Sequence, residues 1–85
     1  MKVIHYDEAE LEPVDAEGAK GAQIRWLIAQ KDGAPTFAMR MFEIEPGGHP
    51  PFHQHEWEHE VYCLSGNGAI VTERGEMAFS TDDAI

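Results

Sequence analysis

The chain has 85 residues, enough for one domain, and 42% of them are hydrophobic, an ordinary share that argues against disorder. Its 16 acids against 6 bases give a net charge of −10, which repels phosphate backbones and anionic lipid and so excludes nucleic acid and membrane surfaces as expected partners. The single cysteine, Cys63, excludes a disulfide within the chain. The first residues lack the apolar core of a signal peptide, no apolar run is long enough to span a bilayer, and a cytoplasmic protein is expected.

In chain order, residues 2–6 are β-branched and aromatic and predict a first strand or an arm. Residues 7–17 are acidic, carry Pro13 and read as a loop, with Gly18 and Gly21 as punctuation. Residues 23–30 (QIRWLIAQ) are short and lie between glycines, which favours a strand over a helix. Lys31-Asp32-Gly33 predicts a turn, because an Asp-Gly pair tolerates the positive φ of a tight hairpin. Residues 36–45 (TFAMRMFEIE) are apolar at both parities and predict a strand covered on both sides, with Phe37, Met39, Met41 and Phe42 in the core; Pro46-Gly47-Gly48 ends it. After a segment rich in proline, histidine and aromatics, residues 60–64 predict a strand. Ser65-Gly66-Asn67-Gly68 predicts a turn, residues 69–73 the return strand, Arg74-Gly75 another turn, and residues 77–80 a further strand. Thr81-Asp82-Asp83 turns again before Ala84-Ile85. Five or six short strands without a strong helix predict an all-β sandwich or barrel.

Four of the five histidines, His49, His53, His55 and His59, fall within eleven residues. A metal ion needs three or more donors within ~2–2.5 Å of one point, and crowding of this kind supplies them. His53 and His55 are separated by one residue, so on extended backbone both imidazoles project from the same side. His59, at the start of the next strand, closes a third position. The plainer reading is a solvated, histidine-rich loop. A metal held by imidazoles would be a divalent transition ion such as manganese, iron, zinc, nickel or copper, and residue types alone do not choose among them. An imidazole ligates only in its neutral form, so affinity is expected to fall in acid.

The segment Gly47-x5-His53-x-His55-x3-His59-x6-Gly66 resembles the first motif of the cupins, and the stretch from MRMFEIEPGG into HQHEWEHEVYCLSG is similar to small bacterial single-domain members of that family. The resemblance runs from about residue 24 onward. It implies an all-β, cupin-type jelly-roll barrel over residues 1–85, with His53, His55 and His59 as metal ligands. The family's glutamate position is filled by His59 when counted back from Gly66. Glu60 fits the spacing from His55 and stands as the alternative ligand, since neighbours on a strand face opposite ways. The family's second motif, with its fourth histidine ligand, is expected just past Ile85, so the barrel reads as incomplete at its C-terminus, a truncated domain with unpaired strand edges. Such edges are sticky, and a homodimer or strand-swapped assembly is expected to cover them.

Two classes of role follow from the resemblance: a metal-dependent dioxygenase, isomerase or decarboxylase acting on a small organic acid or phenolic, or a non-catalytic module that binds a small molecule in the same pocket. The missing motif favours the module, and a fragment made for folding alone is a third reading. Among the other residues, water or an exogenous ligand ranks above His49 or His5 as fourth donor. Glu56 and Glu58 are expected as solvated acids, Trp57 and Phe52 as packing residues and Cys63 as a buried structural thiol. Arg40 reads as a surface or interface arginine, with an anionic ligand as the alternative.

Overall fold

The computed structural model describes residues 1–14, 17–50 and 59–85. These are all-β: five strands form two antiparallel sheets, and the only helical elements among the described residues are two 3-10 turns, Tyr6–Glu8 and Gln30–Asp32. No barrel closes among the described residues. The chain divides into two compact units, Met1–His53 and Gln54–Ile85.

In the first unit, β1 (Glu12–Pro13), β2 (Lys20–Ile28) and β3 (Met39–His49) lie in the order β1-β2-β3. The Ile24, Trp26 and Ile28 side chains give β2 its strand propensity. The register pairs Ala22 with Ile44, Ile24 with Phe42 and Trp26 with Arg40, so these six share one face of the sheet. Gln23, Arg25, Met41 and Glu43 share the other. β2 and β3 are not joined by a tight hairpin: the 3-10 turn at Gln30–Asp32 is followed by Gly33 at φ 88°, and β3 starts only at Met39. The Asp32 carboxylate accepts from the Ala29 amide at 3.0 Å and from the Lys2 ammonium at 2.8 Å, and these bonds fold the connection.

Pro46-Gly47-Gly48 does not end the strand, as its composition predicts. β3 runs on to His49, which pairs with Lys20, while Ile44 pairs with Ala22. Gly21 alone therefore faces residues 45–48, a bulge in which a proline's missing N–H costs no regular ladder bond. Gly48 makes this possible: a β-carbon there would lie 2.6 Å from the Lys20 carbonyl oxygen and 2.8 Å from that of Gly21.

Residues 2–6 form an arm rather than a strand. Arg25 reaches from the sheet to donate to the Ala9 carbonyl at 2.6 Å, and its guanidinium sits 5.6 Å from the Tyr6 ring centroid. Lys2 also donates to the Leu27 carbonyl at 3.2 Å.

In the second unit, β4 (Asn67–Thr72) and β5 (Gly75–Ser80) form a hairpin closed by Glu73 and Arg74. The Thr72 hydroxyl accepts from the Arg74 amide at 3.1 Å and donates to the Gly75 carbonyl at 3.0 Å. The predicted return strand thus pairs with the strand after it, not with residues 60–64. Asn67-Gly68 lies inside β4, and the bend falls at Ser65-Gly66, where Gly66 takes φ 93°. Gly68 is opposite Phe79, whose ring folds over it. Residues 61–63 pair instead with the chain end: Val61 and Ile85 exchange both backbone bonds at 3.0 and 2.8 Å, and the Cys63 amide donates to the Asp83 carbonyl at 2.9 Å.

The buried apolar residues among those described are Ala9, Ala22, Ile24 and Cys63. The predicted core of residues 37–42 is not buried. Phe37 is 69% exposed, Met39 49% and Phe42 40%, and Met41 is half-buried. Phe37 precedes β3 and lies off the ladder, while Phe42 presents its ring to the Arg40 guanidinium at 5.5 Å.

Candidate metal centre

Of the three predicted ligands, His53 and His55 lie outside the described residues, as do Phe52, Glu56, Trp57 and Glu58. His59 is exposed and stands just before the segment that pairs with the chain end; Glu60, the alternative ligand, is exposed beside it. Among the described residues no group of three or more His, Cys, Asp or Glu side chains is arranged to hold a metal ion. What the described residues do define is the frame of the histidine segment. Gly47 and Gly66, the glycines at its two ends, both have positive φ, 80° and 93°, a backbone conformation that side-chain-bearing residues resist. The choice of glycine at each of these two positions therefore has a conformational cause.

The remaining candidates are placed as follows. His49 is the last residue of β3, not a loop residue, and its Nδ1 lies 3.1 Å from the Pro50 carbonyl oxygen. The Nδ1 of His5 lies 2.6 Å from the Asp7 carboxylate. Cys63 is buried, as expected of a structural thiol, and its sulfur lies 3.6 Å from the Ser65 carbonyl oxygen and 3.8 Å from that of Gly66. Arg40 is half-buried, its guanidinium 5.3 Å from the Trp26 ring centroid and 5.5 Å from that of Phe42. The Arg25 clamp on the arm has no counterpart in the sequence reading: nothing local links Tyr6 or Ala9 to a residue in a strand so far along the chain.

The described residues are all-β, in two antiparallel sheets, and the histidine-rich segment falls between β3 and β4 in the sequence. The cupin domain matches residues 40–85, more than half of the chain and the whole of that segment, and the chain belongs to the cupin family. No curated protein matches it. Among the described residues, no helix is long and apolar enough to cross a membrane.

Proposed function

We propose that residues 1–85 act as one cupin domain that binds a divalent transition metal through His53, His55 and His59, and that this is a non-catalytic module presenting a small-molecule pocket. The observation that carries the reading is the motif Gly47-x5-His53-x-His55-x3-His59-x6-Gly66 within the matched cupin stretch. The chemistry of the donor set fits the group: three neutral imidazoles suit manganese, iron, zinc, nickel or copper, and they are poor ligands for the hard cations that prefer all-oxygen sites. When bound, such an ion supplies Lewis acidity or an open position for an exogenous donor. A homodimer in the cytoplasm belongs to the same reading. It is supported by the large apolar side chains left exposed in both units, Ile44 and Met39 in one, Leu64 and Met77 in the other.

The test is elemental analysis of protein purified without added metal, beside the variants His53→Ala, His55→Ala and His59→Ala. The expected result is near-stoichiometric metal in the parent and at least about tenfold weaker retention in each variant. Equal retention in His59→Ala and loss in Glu60→Ala would transfer the third ligand to Glu60. Metal-free parent protein removes the reading. Oxygen uptake with phenolics by metal-loaded protein would replace the module with an enzyme.

A further inference from the structure

Residues 1–9 form a strap on the first unit that joins no ladder. Its backbone bonds are internal: the Glu8 amide donates to the His5 carbonyl at 3.0 Å and the Ala9 amide to that of Tyr6 at 3.2 Å. Among the described residues, two cations make every hydrogen bond that joins the strap to the rest. At one end the Lys2 ammonium donates to the Leu27 carbonyl at 3.2 Å and to the Asp32 carboxylate at 2.8 Å. At the other, Arg25 donates to the Ala9 carbonyl at 2.6 Å and to that of Asp7 at 3.5 Å, with the Tyr6 ring beside its guanidinium. Apolar anchorage is slight: Ala9 is buried and Ile4 half-buried, while Met1 and Val3 are exposed. Neither cation holds at full strength. The Lys2 and Asp32 side chains keep 35% and 16% of their exposure, and ion pairs open to solvent are weak. The Arg25 Nε is buried without a hydrogen-bond partner among the described residues, so docking the strap leaves part of that cation's desolvation uncompensated.

The Lys2 end of the strap grips residues 29–38, the connection between β2 and β3. The connection's own bonds close within it: the amides of Asp32, Gly33 and Ala34 donate to the carbonyls of Ala29 and Gln30, and the Ala29 amide donates to the Asp32 carboxylate. Among the described residues, the Lys2–Asp32 bond is the one hydrogen bond that ties the connection to another part of the chain. The same connection walls a groove of about 280 Å³, in which every lining residue except Trp26 lies within 29–38. We propose that residues 1–9 are a latch: docked, they hold the connection and its groove in one shape through Lys2, and they release as a unit, ahead of the sheet, freeing the connection with them. A segment with few buried apolar contacts opens at lower cost than a paired ladder such as β2–β3. Because the strap delivers Lys2, the Arg25 anchor governs the connection without touching it. An open latch lets the groove change shape around a ligand. The latch is built wholly within the first unit and does not depend on the histidine segment.

The test is amide hydrogen exchange by NMR on the full chain, with the amides of the β2–β3 ladder as internal reference. Lys2→Met should speed exchange about two- to fivefold at Asp32, Gly33 and Ala34, the loss expected from one exposed ion pair. Arg25→Met should speed Glu8 and Ala9 about tenfold, and the same three connection amides up to the Lys2→Met rate. The double variant should add nothing more at the connection, since both changes remove the same Lys2 bond. Acceleration confined to Glu8 and Ala9 in Arg25→Met, or additive acceleration at the connection in the double variant, overturns the latch. Should Arg25→Met fail to fold, the unaltered protein decides. Raising salt from ~0.05 to ~1 M screens the Lys2 pair, and the strap and connection amides should quicken together relative to the ladder. A salt response in only one of the two segments, or in neither, overturns the proposal.

Discussion

At Gly48 an added β-carbon would meet the carbonyl oxygens of Lys20, Gly21 and Glu45 at 2.6, 2.8 and 3.0 Å, all backbone atoms of the β2–β3 ladder. Backbone cannot swing aside as a side-chain tip can, so Gly48→Ala must push the strands apart, an overpacking cost of ~1–3 kcal/mol or more. At Gly47 the space is open, and only the positive φ of 80° opposes a side chain, at about 1–2 kcal/mol. Gly48→Ala should therefore lower the melting temperature more than Gly47→Ala, and the double variant should unfold the bulge. Equal melting temperatures would show that the two strands do not approach as closely as described. Asp32 gives a second test at this scale. The hydrogen bond from Lys2 and then that from the Ala29 amide hold its carboxyl below the ordinary aspartate range. A group whose pKa is lower folded than unfolded stabilises the fold above its unfolded pKa, and that contribution is lost as pH falls below about 4. Carboxyl NMR should show Lys2→Met moving the Asp32 titration upward toward the ordinary range; an unmoved titration would mean that Lys2 is not its partner in solution.

The strands owe their legibility to composition. Runs such as QIRWLI and MRMFEI are short, rich in apolar residues and set between glycines, and they became β2 and β3, while Arg74 and Gly75 marked the hairpin of β4 and β5 to within a residue. What failed was the reading of punctuation. Pro46-Gly47-Gly48 has the composition of a stop, yet its prolyl and glycyl residues fill a bulge, because Gly21 across the ladder leaves them room. Asn67-Gly68 has the composition of a turn, yet Gly68 is needed as flat ground beneath the Phe79 ring. Both depend on the opposite strand, which no local window contains. The histidine spacing was legible for the same reason the strands were, as a local pattern, whereas the meeting of Arg40 with Trp26 required the register of β2 against β3. The second unit offers an element-scale test. The Asp83 carboxylate accepts from the Ser80 amide at 2.7 Å and shapes the turn that brings the chain end onto residues 61–63. Removing such a cap costs about 1 kcal/mol. Asp83→Ala should speed amide exchange at Ser80, and also at Cys63 and Ile85, whose bonds depend on that turn. Faster exchange confined to Ser80 would mean that the pairing with residues 61–63 stands without the turn.

At the scale of the whole molecule the difficulty is how little apolar surface is covered. A stable domain must offset the ordering of its backbone, about 1–2 kcal/mol per residue, chiefly by burying apolar side chains. Here the buried apolar residues among those described are three alanine- or cysteine-sized side chains and Ile24, while Phe37, Met39, Ile44, Tyr62, Leu64, Val71 and Met77 remain exposed. Exposed apolar residues of that number are more than scattered surface positions, and a second copy of the same chain is the partner always present at matching concentration. The acidic surface sets the condition for such an assembly: a net charge of −10 on each copy opposes association, and salt screens the repulsion. Light scattering on the purified protein should therefore give roughly twice the chain mass of 9.5 kDa, with the dimer fraction rising from low to moderate salt and the melting temperature rising with protein concentration. Replacing Leu64 and Met77 by serine should shift the species toward monomer and lower the melting temperature together, the outcome the proposed homodimer requires of side chains that a second copy would cover. A monomer that melts cooperatively at a temperature independent of concentration would show instead that the chain completes its core by itself.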